Sequence, residues 1–99
     1  MYAMVVRMSL DPDRRPDVIT HFQRDVAGGA GGLPGFVEGR WFCTPDGADG
    51  LGVVTFDAEA NVVAAVRGPR SSQHDDEQAW NIDQIQVFEQ VARAERADH

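Results

Sequence analysis

Between Tyr2 and Leu10 the apolar residues keep a period of two, with Tyr2, Met4, Val6, Met8 and Leu10 on one face and Ala3, Val5, Arg7 and Ser9 on the other. That period marks a β-strand, and apolar content on both faces, broken only at Arg7, marks one interior to its sheet and covered on both sides. Asp11-Pro12-Asp13 is turn and helix-start chemistry, and Pro16 fits only a first turn. The spacing then becomes helical. Val18, Ile19, Phe22 and Val26 form a stripe, with Asp17, Arg24 and Asp25 turned toward water. The glycine-rich residues 28–35 end this helix and turn at Pro34-Gly35. They run from helix to strand, so the helix N-terminus that would hold a phosphate is missing.

Residues 36–43 read as a second strand, Pro45-Asp46-Gly47 with Asp49-Gly50 as a hairpin loop, and 51–56 as a third strand. Strand three carries Leu51, Val53 and Thr55 on one face and Val54 and Phe56 on the other, so it too is expected to be interior. Asp57 is placed to cap a helix over 58–67 with a stripe of Val62, Val63 and Val66, stopped by Gly68-Pro69. The polar residues 70–81 fit either a loop or a further helical turn. A fourth strand over 82–91 places Ile85, Val87 and Val91 on one face and Ile82 and Phe88 on the other.

The order strand, helix, strand, strand, helix, strand is the split βαβ, ferredoxin-like pattern of α+β folds: a four-stranded antiparallel sheet with two helices on one face. Its central strands are the first and third, the two read as covered on both sides. Two helices cover one face only. The other would expose more apolar area than a soluble monomer normally shows, so a homodimer with two sheets face to face is expected. One domain over residues 1–95, with a charged tail at 96–99, accounts for the chain.

Composition narrows the function classes. Net charge is −7 and the isoelectric point about 4.7, which disfavours a phosphate-backbone or anionic-membrane partner. All nine basic residues are Arg, which excludes Schiff-base and Walker-type lysine chemistry. The N-terminus lacks signal-peptide character and no stretch reaches the length of a membrane helix. Cys43 is alone and reads as a small buried hydrophobe, and a cytoplasmic setting is expected.

Leu33-Pro34-Gly35-Phe36 opening strand two, Gly39 within it, the 51–60 junction LGVVTFDAEA and the 87–92 ending VFEQVA carry a resemblance over nearly the whole chain. The chain resembles the dimeric α+β barrel superfamily, and within it the small antibiotic-biosynthesis-monooxygenase-like proteins. The resemblance implies a pocket in each subunit between sheet and helices, open to apolar or aromatic ligands, and chemistry such as cofactor-independent oxygenation. It also implies that Phe56 stands where the family often has a tryptophan. In the haem-degrading branch an asparagine, a tryptophan and a histidine act together; those positions fall at Arg7, near Ala65, and within a residue of His74.

Arg7 is the most informative residue. A guanidinium on an apolar central strand needs either a carboxylate partner, such as Glu38 or Asp83, or a pocket in which it holds a substrate anion. Only an electron-rich anion reduces dioxygen directly, so the second reading makes Arg7 catalytic, with His74 or Asn81 assisting proton transfer or oxyanion binding. Phe56 and Trp80 are the expected substrate-binding walls. Trp41 faces either the pocket or the dimer contact, and is assigned to the contact; His21 is assigned to the surface. His74, Asp75, Asp76 and Glu77 lack metal-ligand spacing, and neither a metal nor a cofactor is expected. The leading expectation is a small apolar or aromatic ligand, oxidised without a bound cofactor. A non-catalytic binder with a self-filled pocket and haem binding are the alternatives.

Overall fold

The computed structural model describes residues 1–71 and 80–96, with only the backbone of 68–71. Four antiparallel strands, β1 (Tyr2–Leu10), β2 (Phe36–Cys43), β3 (Asp49–Phe56) and β4 (Trp80–Glu89), stand in the order β2-β3-β1-β4. The two strands read as interior are therefore the central pair. Residues alternate faces with a period of two. Met4, Val6, Met8 and Leu10 are buried toward the helices, and Val54 and Phe56 of β3 join them. The opposite face carries Ala3, Val5, Arg7 and Ser9 beside Leu51, Val53 and Thr55.

Asp11 caps a short 3-10 turn, Pro12–Arg14, by accepting a hydrogen bond from the Asp13 amide at 3.0 Å. The first helical layer follows as three pieces joined without a break: α1 (Arg15–His21), a π-turn (Phe22–Val26) and α2 (Ala27–Ala30). Val18 and Phe22 are its buried anchors. Gly28 and Gly29 were expected to end the helix; instead it runs through them to Ala30, and the stop comes in the turn before Phe36. The second layer is α3 (Glu59–Ser71), packed on β1, β3 and β4 through Val62 and Val66. Val63, expected in the same stripe, is exposed. The helical backbone continues past Gly68-Pro69, which the sequence reading took as its end. The Asp57 carboxylate accepts from the Asn61 side-chain amide at 2.9 Å, while the Asp57 amide donates to the Gly35 carbonyl at 3.0 Å.

Strand β4 shifts register against β1 between Arg7 and Met8, where Arg7 pairs with Gln84 and Met8 with Ile82. The unpaired Asp83 is a bulge, which flips the alternation so that Ile82 and Ile85 share the helix-facing side. Strict alternation had separated them. No helix among the described residues is long and apolar enough to cross a membrane.

Two glycines in this frame have opposite roles. Gly35 sits at φ +74°, and a Cβ there would collide with the side chains of Asn61 and Asp57. Gly28 lies inside a helix with open space around its Cα. Gly28→Ala is expected to stabilise the protein by about 0.5–1 kcal/mol, and Gly35→Ala to destabilise it by about 2 kcal/mol, in urea unfolding. The β2–β3 hairpin supplies a second test. Asp46 accepts from the Thr44 hydroxyl at 2.6 Å and the Ala48 amide at 2.9 Å, and these bonds hold its carboxyl below the usual value of 3.8. A folded value below the unfolded one contributes stability above 3.8 that is lost as pH falls through the lowered value. Asp46→Asn is expected to be less stable than the parent at neutral pH and indistinguishable from it in acid, by urea unfolding across that range.

Candidate functional site

Between the sheet and the first helical layer lies a cavity of about 420 Å³, within the ~300–1,000 Å³ of small-molecule sites. Met4, Val6 and Met8 of β1 form its floor, and Phe22, Val26 and Ala30 its roof. Trp41 of β2 and Trp80 of β4 supply aromatic walls. The Trp41 ring lies flat on the sheet because Gly39 and Gly52 present no side chain there. A Cβ on Gly39 would fall 2.5 Å from the ring, and one on Gly52 3.0 Å.

Among the described residues, the titratable ones lining this space are His21 and Asp25. His21 Nδ1 lies 3.0 Å from Asp25 Oδ2, and the imidazole stacks on Trp80 with ring centres 3.7 Å apart and planes 15° from parallel. The His21 side chain is 22% exposed and that of Asp25 71%. Counting 100° per residue from the Val18–Val26 stripe puts His21 on the outer surface. The π-turn changes that sum, because i→i+5 bonding advances each residue by less than an α-helix does. Val26 rotates back toward the His21 side, and the buried stripe shifts with it.

Arg7 does not reach this cavity. It is exposed on the opposite face of the sheet, as its place between Val5 and Ser9 requires, and lines a separate concavity with Asp49, Asp83 and Gln84. Neither carboxylate named as its partner pairs with it: Glu38 meets Arg40 at 3.7 Å, and Asp83 accepts from the Ser9 hydroxyl at 2.5 Å. Asn81 pairs with Ser9 in the ladder and so belongs to that same open face. Phe56 is fully buried, edge-on to Phe36, in the core beside the cavity rather than in its wall. Trp80 is in the wall. His74 lies outside the described residues. Trp41, assigned from the sequence to the dimer contact, faces the helices instead, because its ladder partner Gly52 does. Among the described residues no cluster of three or more His, Cys, Asp or Glu is placed to hold a metal.

His21 and Trp41 are thus the residues that sequence reasoning put elsewhere, while Asp25 is turned toward water as expected and still reaches the cavity rim. The i, i+4 spacing of His21 and Asp25 is a visible signal for a side-chain pair on one helix face. Its direction was not visible, since nothing in the local composition announces the π-turn.

No family model and no curated protein matches the sequence. Solved structures do match the fold. HapK from Hahella chejuensis superposes with a TM-score of 0.67 at 12% identity, over 99% of this chain and 100% of that one. A monooxygenase from the gene ActVA-Orf6 of Streptomyces coelicolor, solved in complex with nanaomycin D, gives 0.64 at 14% identity, over 97% of this chain and 92% of that one. At such identities the likeness is one of fold, and the ferredoxin-like α+β architecture shared with these two structures is the one the sequence motifs led us to expect.

Proposed function

We propose that the protein binds a flat apolar or aromatic metabolite between its sheet and its first helical layer, and oxidises it with dioxygen without a bound cofactor. The observation that carries this reading is the cavity, apolar on floor and roof and walled by two indoles. It is open, which does not suit the self-filled binder weighed above. A monooxygenase of the same fold has been solved with a ligand, which supports the same class of activity here. The reaction that fits is conversion of an activated ring CH₂ to a carbonyl. The substrate anion reduces dioxygen; one oxygen atom stays on carbon, and the other leaves as water with the two hydrogens.

The working form is a homodimer closed through the bare face of the sheet. Phe42, Phe88 and Val37 are 50%, 48% and 44% exposed there, around a groove of about 500 Å³. Val91, 90% exposed, lies on the segment that leaves β4 after Gln90 donates to the Met1 carbonyl at 2.8 Å. In a dimer of this kind Arg7 and Asn81 lie at the contact, away from the chemistry.

A naphthol titrated into the protein is expected to quench tryptophan emission saturably. Ala65→Phe, which fills the cavity from α3, is expected to abolish the quenching with an unchanged far-ultraviolet spectrum. Oxygen uptake with an anthrone-type substrate separates an oxygenase from a binder, and absence of saturable quenching in the parent protein sinks both. Sedimentation is expected to give twice 10.9 kDa for the parent and the monomer mass for Phe88→Glu.

A further inference from the structure

We propose that His21, oriented by Asp25 and held against Trp80, is the proton acceptor of the cavity, so that the ligand it takes carries an acidic phenolic or enolic hydroxyl. The inference rests on the cavity being a binding site and names the substrate class for it.

An ionised carboxylate only accepts, so the 3.0 Å contact between His21 Nδ1 and Asp25 Oδ2 puts the proton of a neutral imidazole on Nδ1. Nε2 then keeps its lone pair, and no hydrogen bond to it is made among the described residues. Stacking at 3.7 Å and 15° on Trp80 fixes the plane of the ring, and the contact of Nδ1 with Asp25 selects between its two flips. Asp25 of the π-turn and Trp80 of β4 therefore hold one basic nitrogen of His21 in a defined tautomer and orientation. Asp25 is 71% exposed and its charge is screened by water, so its contribution is to orient the ring more than to act through its field.

The surroundings give that nitrogen a task. Floor and roof are apolar, and among the described residues β1, β2, β3, β4 and α3 contribute no other titratable group to the lining. A phenol entering such a space cannot ionise alone, because an unpaired buried charge is costly. It ionises only if its proton moves to a base within the cavity, leaving a phenolate paired with an imidazolium. A hydrocarbon or a simple alcohol offers His21 nothing to accept. A phenol or enol does, and its anion is the electron-rich species that dioxygen can oxidise.

The test reads the ionisation of a bound chromophore, not turnover. Para-nitrophenol, whose anion alone is yellow, is compared with para-nitroanisole, which has no acidic proton. Both are titrated into the parent protein, His21→Phe, which preserves an aromatic stack, and Asp25→Asn, whose amide can donate to Nδ1 and move the proton to Nε2. The parent is expected to hold para-nitrophenol about tenfold more ionised than free solution does at the same pH. His21→Phe is expected still to take up para-nitroanisole, with an affinity altered by the changed wall, and to bind para-nitrophenol without that gain in ionisation, with Asp25→Asn in between. Binding of both probes with identical para-nitrophenol ionisation in the parent and His21→Phe would overturn the proton-acceptor role while leaving the cavity reading intact. Failure of the parent to bind para-nitroanisole overturns the cavity reading and this proposal with it.

Discussion

Strand β1 lies at the centre of the sheet, and the alternation of its side chains divides the molecule into a covered half and a bare half. Everything on even positions from Met4 to Leu10 is packed under helices. Everything on odd positions from Ala3 to Ser9 looks the other way. A chain of 99 residues has enough helix for one of these faces. The core, the cavity within it and the unpartnered apolar face are consequences of one period-two pattern meeting a shortage of cover.

That pattern also shows what could be read beforehand. Strand order, antiparallel pairing and the interior position of β1 and β3 follow from alternation and turn chemistry, and β2 occupies the predicted residues. The same alternation already places Arg7 with Val5 and not with Val6. Of the two readings left open for Arg7, an ion pair or a pocket residue, the second asks it to face the helices, against the geometry of its own strand. Trp41 is a similar case: its face follows from pairing with Gly52, but the register of β2 against β3 could not be read from either strand alone.

Other features had no local signature. The bulge at Asp83 brings Ile82 and Ile85 to the same face, and it arises from how β4 meets β1. Helical backbone through Gly28-Gly29 and past Gly68-Pro69 runs against residue preference, and packing of α1 and α3 on the sheet outweighs it. The π-turn is the most consequential of these. It is a small loss of helical regularity between Phe22 and Val26, and it turns the His21 side of the helix toward Trp80.

The cavity itself is a departure from close packing, and its walls show how the departure is maintained. Trp41 could fill space only by standing off the sheet; with Gly39 and Gly52 beneath it, the ring lies flat and leaves the volume above it open. At the other wall, Trp80 is held by stacking on His21 instead of collapsing inward. The two indoles are braced in orientations that keep the space open, one by absent side chains and the other by an imidazole. Interiors without a ligand to hold tend to fill such voids, because each lost contact weakens the fold. On the proposed reading, a pair of braced indoles around an apolar space is there for an occupant, and the His21–Asp25 pair places the titratable feature of the wall, among the described residues, where that occupant would meet it.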